Sequence, residues 1–196
     1  MSTGLLTLIV VLAAVAALAA FLMSIYNRLV VLRNRVDNAY SQIDVQLQRR
    51  YDLIPNLVEV AKKFMAHERE TLEAVIAARN EAHSIAQAAK ATGDVTALAG
   101  AEQVLGAAMM KLHAVSEAYP EIKADQQMSE LNEELKTTEN RVAFARQAFN
   151  DSVTEYNTAQ QLFPAVLFAA SFGHSARDEW VVNNEEAKEG VKVSFD

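Results

Sequence analysis

The sequence predicts an all-α fold: an N-terminal transmembrane helix that continues into an antiparallel up-and-down four-helix bundle. Three observations predict it. Residues 5–26 (LLTLIVVLAAVAALAAFLMSIY) hold no charge, no proline and no glycine. With only 6 Gly and 3 Pro in 196 residues, and abundant Ala, Glu and Gln, the composition favours helix and offers few turns. Beyond residue 26, apolar residues recur at spacings of three and four, which is one face of a helix.

The apolar run comes first. As a helix it would cover about 33 Å, enough for a hydrocarbon core of about 30 Å. Backbone groups in lipid must satisfy one another, so such a run has to be helical. A secretory signal would have a basic start and a shorter core. Here Met1-Ser2-Thr3-Gly4 carries no Lys or Arg, although Ala17-Leu18-Ala19 would pass as a cleavage site and keeps export open. Leu5, Phe21 and Tyr26 are the candidate anchor residues. Arg28, Arg33 and Arg35 follow at once and are the candidate interfacial cations. Basic flanks stay inside, so the expected orientation has the N-terminus outside and the body in the cytoplasm of a bacterial inner membrane, with a single pass. Ala13-x-x-x-Ala17 and Ala16-x-x-x-Ala20 form a small-residue face that would let two anchors approach closely. Homo-oligomers are therefore expected, with membrane lipids and a membrane protein as further partners.

The expected division is an anchor over residues 1–26, a cytoplasmic bundle over 27–172, and an acidic, flexible tail over 173–196. Leu29, Leu32, Val36, Tyr40, Ile43, Leu47 and Ile54 extend the first helix without a break. Pro55 should end it, since proline disfavours helix at the residue before it and suits a new first turn. A second helix is expected from Pro55 to about Ala91. Thr92-Gly93-Asp94 reads as a turn, with Asp94 capping a third helix. Tyr119-Pro120 ends that one. The fourth begins near Glu121 and runs out before Leu162-Phe163-Pro164. Short turns between four helices imply the up-and-down order. The stretch after Pro164, AVLFAASFGH, is too short to span a bilayer and too apolar for a solvated loop. Phe163, Leu167, Phe168 and Phe172 are candidate membrane-surface contacts, with capping of the bundle core as the rival reading.

Charge narrows the function. Residues 26–63 carry a net +3, residues 64–176 a net −7, and the rest −3. The basic part lies beside the membrane, where anionic headgroups favour it. The acidic bulk argues against nucleic acid, which needs a basic face. Zero cysteine removes disulfides, zinc–thiolate sites and cysteine nucleophiles. His67, His83, His113 and His174 fall in no metal-ligand pattern. Glu130, Glu133, Glu134 and Glu139 read as a solvated helix face. No catalytic, cofactor-binding or metal-ligating residue is expected. Two polar clusters stand out, with a binding surface as the alternative to a structural role: Arg49-Arg50-Tyr51-Asp52 at the expected first helix–helix turn, and Glu139-Asn140-Arg141 with Arg146 beside the apolar stripe of the fourth helix. Polar groups near a core must pair, and here they would fix the register of the helices.

These residues carry a resemblance. YNRLVVLRNRVDNAYSQIDVQLQRRYDLIPNLVEVAKKF resembles the opening of the LemA family of bacterial membrane proteins, and YPEIKADQQMSELNEELKTTENRVAFARQAFNDSVTEYNTAQQLFP resembles its second half. The resemblance covers most of residues 5–172. It implies a single-pass membrane protein with a cytoplasmic four-helix bundle and no assigned catalytic residues. One relative's part in forming magnetosome membranes suggests membrane organisation. The family pattern is left at Gly173-His174 and Glu179-Trp180. The expected function is a non-enzymatic, membrane-anchored scaffold or adaptor acting through self-association or partner binding. An adaptor of a membrane protease is the alternative, and a carboxylate-based hydrolase or metal enzyme is the outlier.

Overall fold

The computed structural model describes residues 3–181. Those residues are all-helical, with one long apolar N-terminal helix. In chain order the elements are α1 (Thr3–Phe64), α2 (Arg69–Thr92), α3 (Val95–Ser116), a short α4 (Pro120–Ala124) and α5 (Gln126–Gln161), then a 3₁₀ turn at Ala165–Leu167. At 62 residues, α1 is about 93 Å long.

α1 lives in two environments. Residues 3–21 are all exposed, whereas Ile25, Leu29, Leu32, Val36, Ile43 and Leu47 are buried. No kink residue or turn lies between the two halves. The expected continuity from anchor to body is therefore present in the structure.

The expected stop at Pro55 is corrected: α1 passes through it and ends at Phe64. A proline inside a helix leaves the carbonyl four residues earlier without a donor. Here that carbonyl belongs to Tyr51, and Nε of Arg79 on α2 donates to it at 2.8 Å. Around the proline, Ile54 and Leu57 are fully buried. Packing and a replacement donor thus outweigh the local preference. The turn falls instead at residues 65–68, where Met65 is fully buried and the Glu68 amide donates to the Met65 carbonyl at 3.0 Å. The second helix accordingly starts at Arg69 rather than Pro55.

The later boundaries follow local chemistry. Gly93 closes α2 at φ 74°, a left-handed conformation costly for any side chain, and its amide donates to the Ala89 carbonyl at 2.8 Å. Asp94 caps α3 by accepting from the Ala97 amide at 2.9 Å. The fourth long helix does not start at Glu121. The single turn of α4 comes first, and Asp125 then caps α5 by accepting from the Met128 amide at 2.8 Å.

Ion pairs report how the helices meet. Arg35 reaches Glu155 at 3.4 Å, Arg50 reaches Glu139 at 3.2 Å, and Arg49 pairs with Glu134. Arg35 thus meets the later part of α5, and Arg49 and Arg50 meet its earlier half. Lys90 of α2 meets Asp44 of α1 at 2.9 Å. The α2–α3 hairpin thus ends well short of Tyr26. Residues 173–178 lie beside its tip, with Arg177 next to Gly93.

Candidate functional site

Two places concentrate functional side chains: a buried polar network in the middle of the body, and the end beside the anchor.

In the middle, Arg50 and Glu102 are both buried, and Nη1 of Arg50 donates to Oε2 of Glu102 at 2.7 Å. Nη2 reaches Oε1 of Glu139 at 3.2 Å. The Tyr51 hydroxyl donates to Oε1 of Glu102 at 2.6 Å. Burial, reinforced by the Glu102 charge, holds the Tyr51 hydroxyl far above its ordinary pKa, so it stays a donor. The His83 ring meets the Tyr51 ring edge-on at 5.4 Å, and Arg79 lies 6.0 Å over it. One α1 dipeptide is thereby linked to α2, α3 and α5. Arg49 to Asp52 thus lie inside α1 rather than at a turn. The sequence reading paired Arg50 with no residue in particular. Yet Glu102 is the only charge between residues 95 and 110, and that is the signal which could have found it.

At the membrane-proximal end, the Tyr26 ring meets Phe172 edge-on at 5.4 Å and His174 at 6.1 Å. His174 is buried, and the Tyr156 hydroxyl lies 2.9 Å from its Nδ1. Burial, with the nearby Arg33 adding to it, holds the imidazole below its ordinary pKa. A neutral ring accepts at Nδ1 from the Tyr156 hydroxyl, whose own pKa burial pushes up. Arg35 is engaged with Glu155, and Arg28 is exposed. Leu5, Phe21, Ala13, Ala16, Ala17 and Ala20 all lie on the exposed part of α1.

The four expected surface contacts divide. Phe163 and Leu167 are exposed, at 79% and 62%. Phe168 and Phe172 are half-buried: they pack against the core and stack on each other at 6.2 Å between centroids. The stretch thus has a side packed on the core and a side that faces outward.

The expected tail is docked at its start. Residues 173–181 lie along α5, and Trp180 is 4% exposed; residues 182–196 lie outside the described residues. Two asparagines hold the segment. Asn157 donates to the Arg177 carbonyl at 2.8 Å and accepts from its amide at 2.9 Å. Asn150 treats Trp180 the same way, at 3.0 and 2.8 Å. Seven helical residues advance about 10.5 Å, and three extended residues about 10 Å, so the two clamps match in pitch. Arg146 lies 5.8 Å over the Trp180 ring. From about Arg177 the sequence left the segment disordered or loosely docked, and the lone Trp in an acidic segment was the signal for docking.

The carboxylates of α5 are engaged structurally: Glu134 with Arg49, Glu139 with Arg50 and Glu155 with Arg35. A cavity of about 510 Å³ lies between the hairpin tip, α1 and Arg177, but Asp44 and Asp37 on its wall are paired with Lys90 and Arg177. Among the described residues, no three His, Asp or Glu side chains converge as metal ligands.

Residues 39–195 match the LemA family. The chain belongs to that family. Among its relatives is the magnetosome protein MamQ of Magnetospirillum gryphiswaldense, 29% identical over 173 residues, which are 79% of this chain and 63% of the relative. The magnetosome proteins MamQ 1 and MamQ 2 of Paramagnetospirillum magneticum are each 29% identical over 171 residues, or 78% of this chain and 62% of theirs. The chain therefore spans less than two thirds of the length of these relatives. α1 is long and apolar enough to cross a bilayer.

Proposed function

We propose that this LemA protein is a non-enzymatic scaffold of a bacterial inner membrane. Its anchor crosses once, and an antiparallel up-and-down four-helix bundle stands in the cytoplasm. The scaffold organises membrane or envelope processes by self-association through the anchor and by binding a membrane protein partner. One observation carries the reading: the exposed apolar stretch and the buried core stretch belong to one unbroken helix. A contact between anchors is thereby transmitted to the body without a flexible joint. The engagement of the α5 carboxylates in ion pairs supports a structural rather than a chemical role for them.

Cross-linking in intact membranes followed by mass spectrometry tests it. Homotypic cross-links that weaken when Ala13, Ala17 and Ala20 become Leu are expected. An unchanged ladder would remove the anchor as the interface. A membrane protease as the main cross-linked species would make the protein an adaptor instead. Protease added to intact spheroplasts should spare the body, and digestion before lysis would overturn the orientation.

A further inference from the structure

We propose that Leu162, Phe163, Val166 and Leu167 rest in the headgroup region of the bilayer and give the body a second membrane contact beside the anchor. The proposal rests on residues 5–26 spanning the membrane.

Four observations carry it. First, the four side chains are exposed at 54%, 79%, 51% and 62%, within six residues. Residues 162–173 contain no charge. A clustered apolar surface of this kind calls for a cover. Second, the patch is at the height of the anchor's end. Arg35 is nine residues past Tyr26, about 13 Å down the helix, and it pairs with Glu155. From Glu155, α5 climbs six more residues to Gln161, regaining about 9 Å. The chain then enters the patch, and Phe172, just beyond it, touches Tyr26 at 5.4 Å. Third, the patch is rigidly mounted. Ala169 is buried, Phe168 and Phe172 pack on the core, and the Phe168 amide donates to the Ala165 carbonyl at 2.9 Å. The outward side chains are therefore presented by a fixed platform. Fourth, Arg28, exposed two residues past Tyr26, suits a surface of anionic headgroups at this level.

A second copy of the chain would also hide apolar side chains, but continuity with the membrane-spanning helix favours lipid. With one attachment, the body could swing about the helix axis. With two, its tilt and rotation are fixed, and the same face of every copy points along the membrane.

The chain has no cysteine, so single labels are clean. The full chain is reconstituted in vesicles of phosphatidylcholine and phosphatidylglycerol, carrying an environment-sensitive fluorophore at Phe163→Cys or Leu167→Cys. Phe144→Cys is the reference: it is 72% exposed on α5, about 26 Å from that helix's end. Val15→Cys reports the anchor. Labels at 163 and 167 should be blue-shifted, lose iodide quenching and gain quenching by lipids with a shallow nitroxide, while 144 stays open to iodide. Labels at 163 and 167 that behave like 144 would overturn the contact. Shielding from both iodide and lipid nitroxide would mean a protein cover and would overturn it too. An iodide-accessible label at 15 would bring down the anchor and this proposal with it, whereas a lipid-quenched 15 beside an aqueous 167 removes the second contact alone.

Discussion

The middle of the body and its membrane-proximal end solve opposite problems. In the middle, charged groups are buried, and each is answered inside the protein: Arg50 by Glu102 and Glu139, Glu102 also by Tyr51. At the end, apolar groups are exposed, and nothing among the described residues covers Phe163 or Leu167. Burying a charge is tolerable only with a partner in place, so the middle is self-sufficient and sensitive to single substitutions. Exposing apolar surface is tolerable when the surroundings are apolar, so the end is cheap to alter within the body and depends on what lies outside it. The difference separates residues that hold the fold from residues that direct it.

Breaking the middle should have the largest effect. Arg50→Ala leaves Glu102 buried with one donor fewer and no counter-charge. The expected loss is about 3–5 kcal/mol, read from urea unfolding of the full chain in detergent. Loss within the error of the wild type would mean that Glu102 is solvated and that the network does not fix the helices. Glu102→Gln with Arg50→Met together should recover part of the loss, since neither variant side chain is then a lone buried charge.

The next effect joins α1 to α2. Arg79→Ala withdraws the donor that answers the Tyr51 carbonyl, at about 1–3 kcal/mol. Pro55→Ala restores an amide at that place in the helix. The double variant should therefore lose less than Arg79→Ala alone, and strict additivity in the cycle would show that the Arg79 contact does not compensate for the proline.

That pair also marks where sequence reasoning stops. Pro55 was legible as a break, because the local rule about proline is a rule about backbone donors. Its cancellation depends on Arg79, 24 positions later, and no local pattern carries that. Gly93 and Asp94 were legible because turn and cap are decided within four residues. The first turn, at residues 65–68, has neither glycine nor proline and is set by Met65 filling the core. In the candidate site, the apolar character of residues 162–173 was plain, but its division into core and outward faces required the folded end of α5. The lone Trp180 hinted at docking, but its partners were illegible for the same reason: Asn150 and Asn157 gain their role only when an extended segment runs beside them.

A smaller, local effect tests that docking. Asn157→Ala removes both bonds to the Arg177 backbone, at about 1–2 kcal/mol. The single Trp makes the readout direct: emission of Trp180 should shift to the red while the helical signal holds. Acid should act on the same segment. Burial keeps His174 below its ordinary value near 6.5, so the folded state favours the neutral ring. The stability it contributes is present above that unfolded value and is lost as pH falls through it toward the folded value. Trp180 emission should redden on acidification below about pH 6.5, and His174→Gln should flatten that response. A response unchanged by His174→Gln would assign the titration elsewhere.

The smallest effect is expected where apolar residues look most important. Phe163 and Leu167 touch little of the core and stand outside its packing. Replacing both with Ser removes little buried area and opens no enclosed cavity, so the stability of the detergent-solubilised chain should change by no more than about 0.5 kcal/mol. Phe168→Ser, next to Leu167 yet packed on the core, should cost more, since it opens a void and places a hydroxyl against apolar neighbours. The contrast between these neighbours is the sharpest statement of the comparison. If Phe163→Ser with Leu167→Ser unfolds the body as Phe168→Ser does, the outward face is core in solution and the two regions obey one rule. If only Phe168→Ser destabilises, the outward pair has no task within the fold, and its apolar chemistry is kept for a surface beyond the chain.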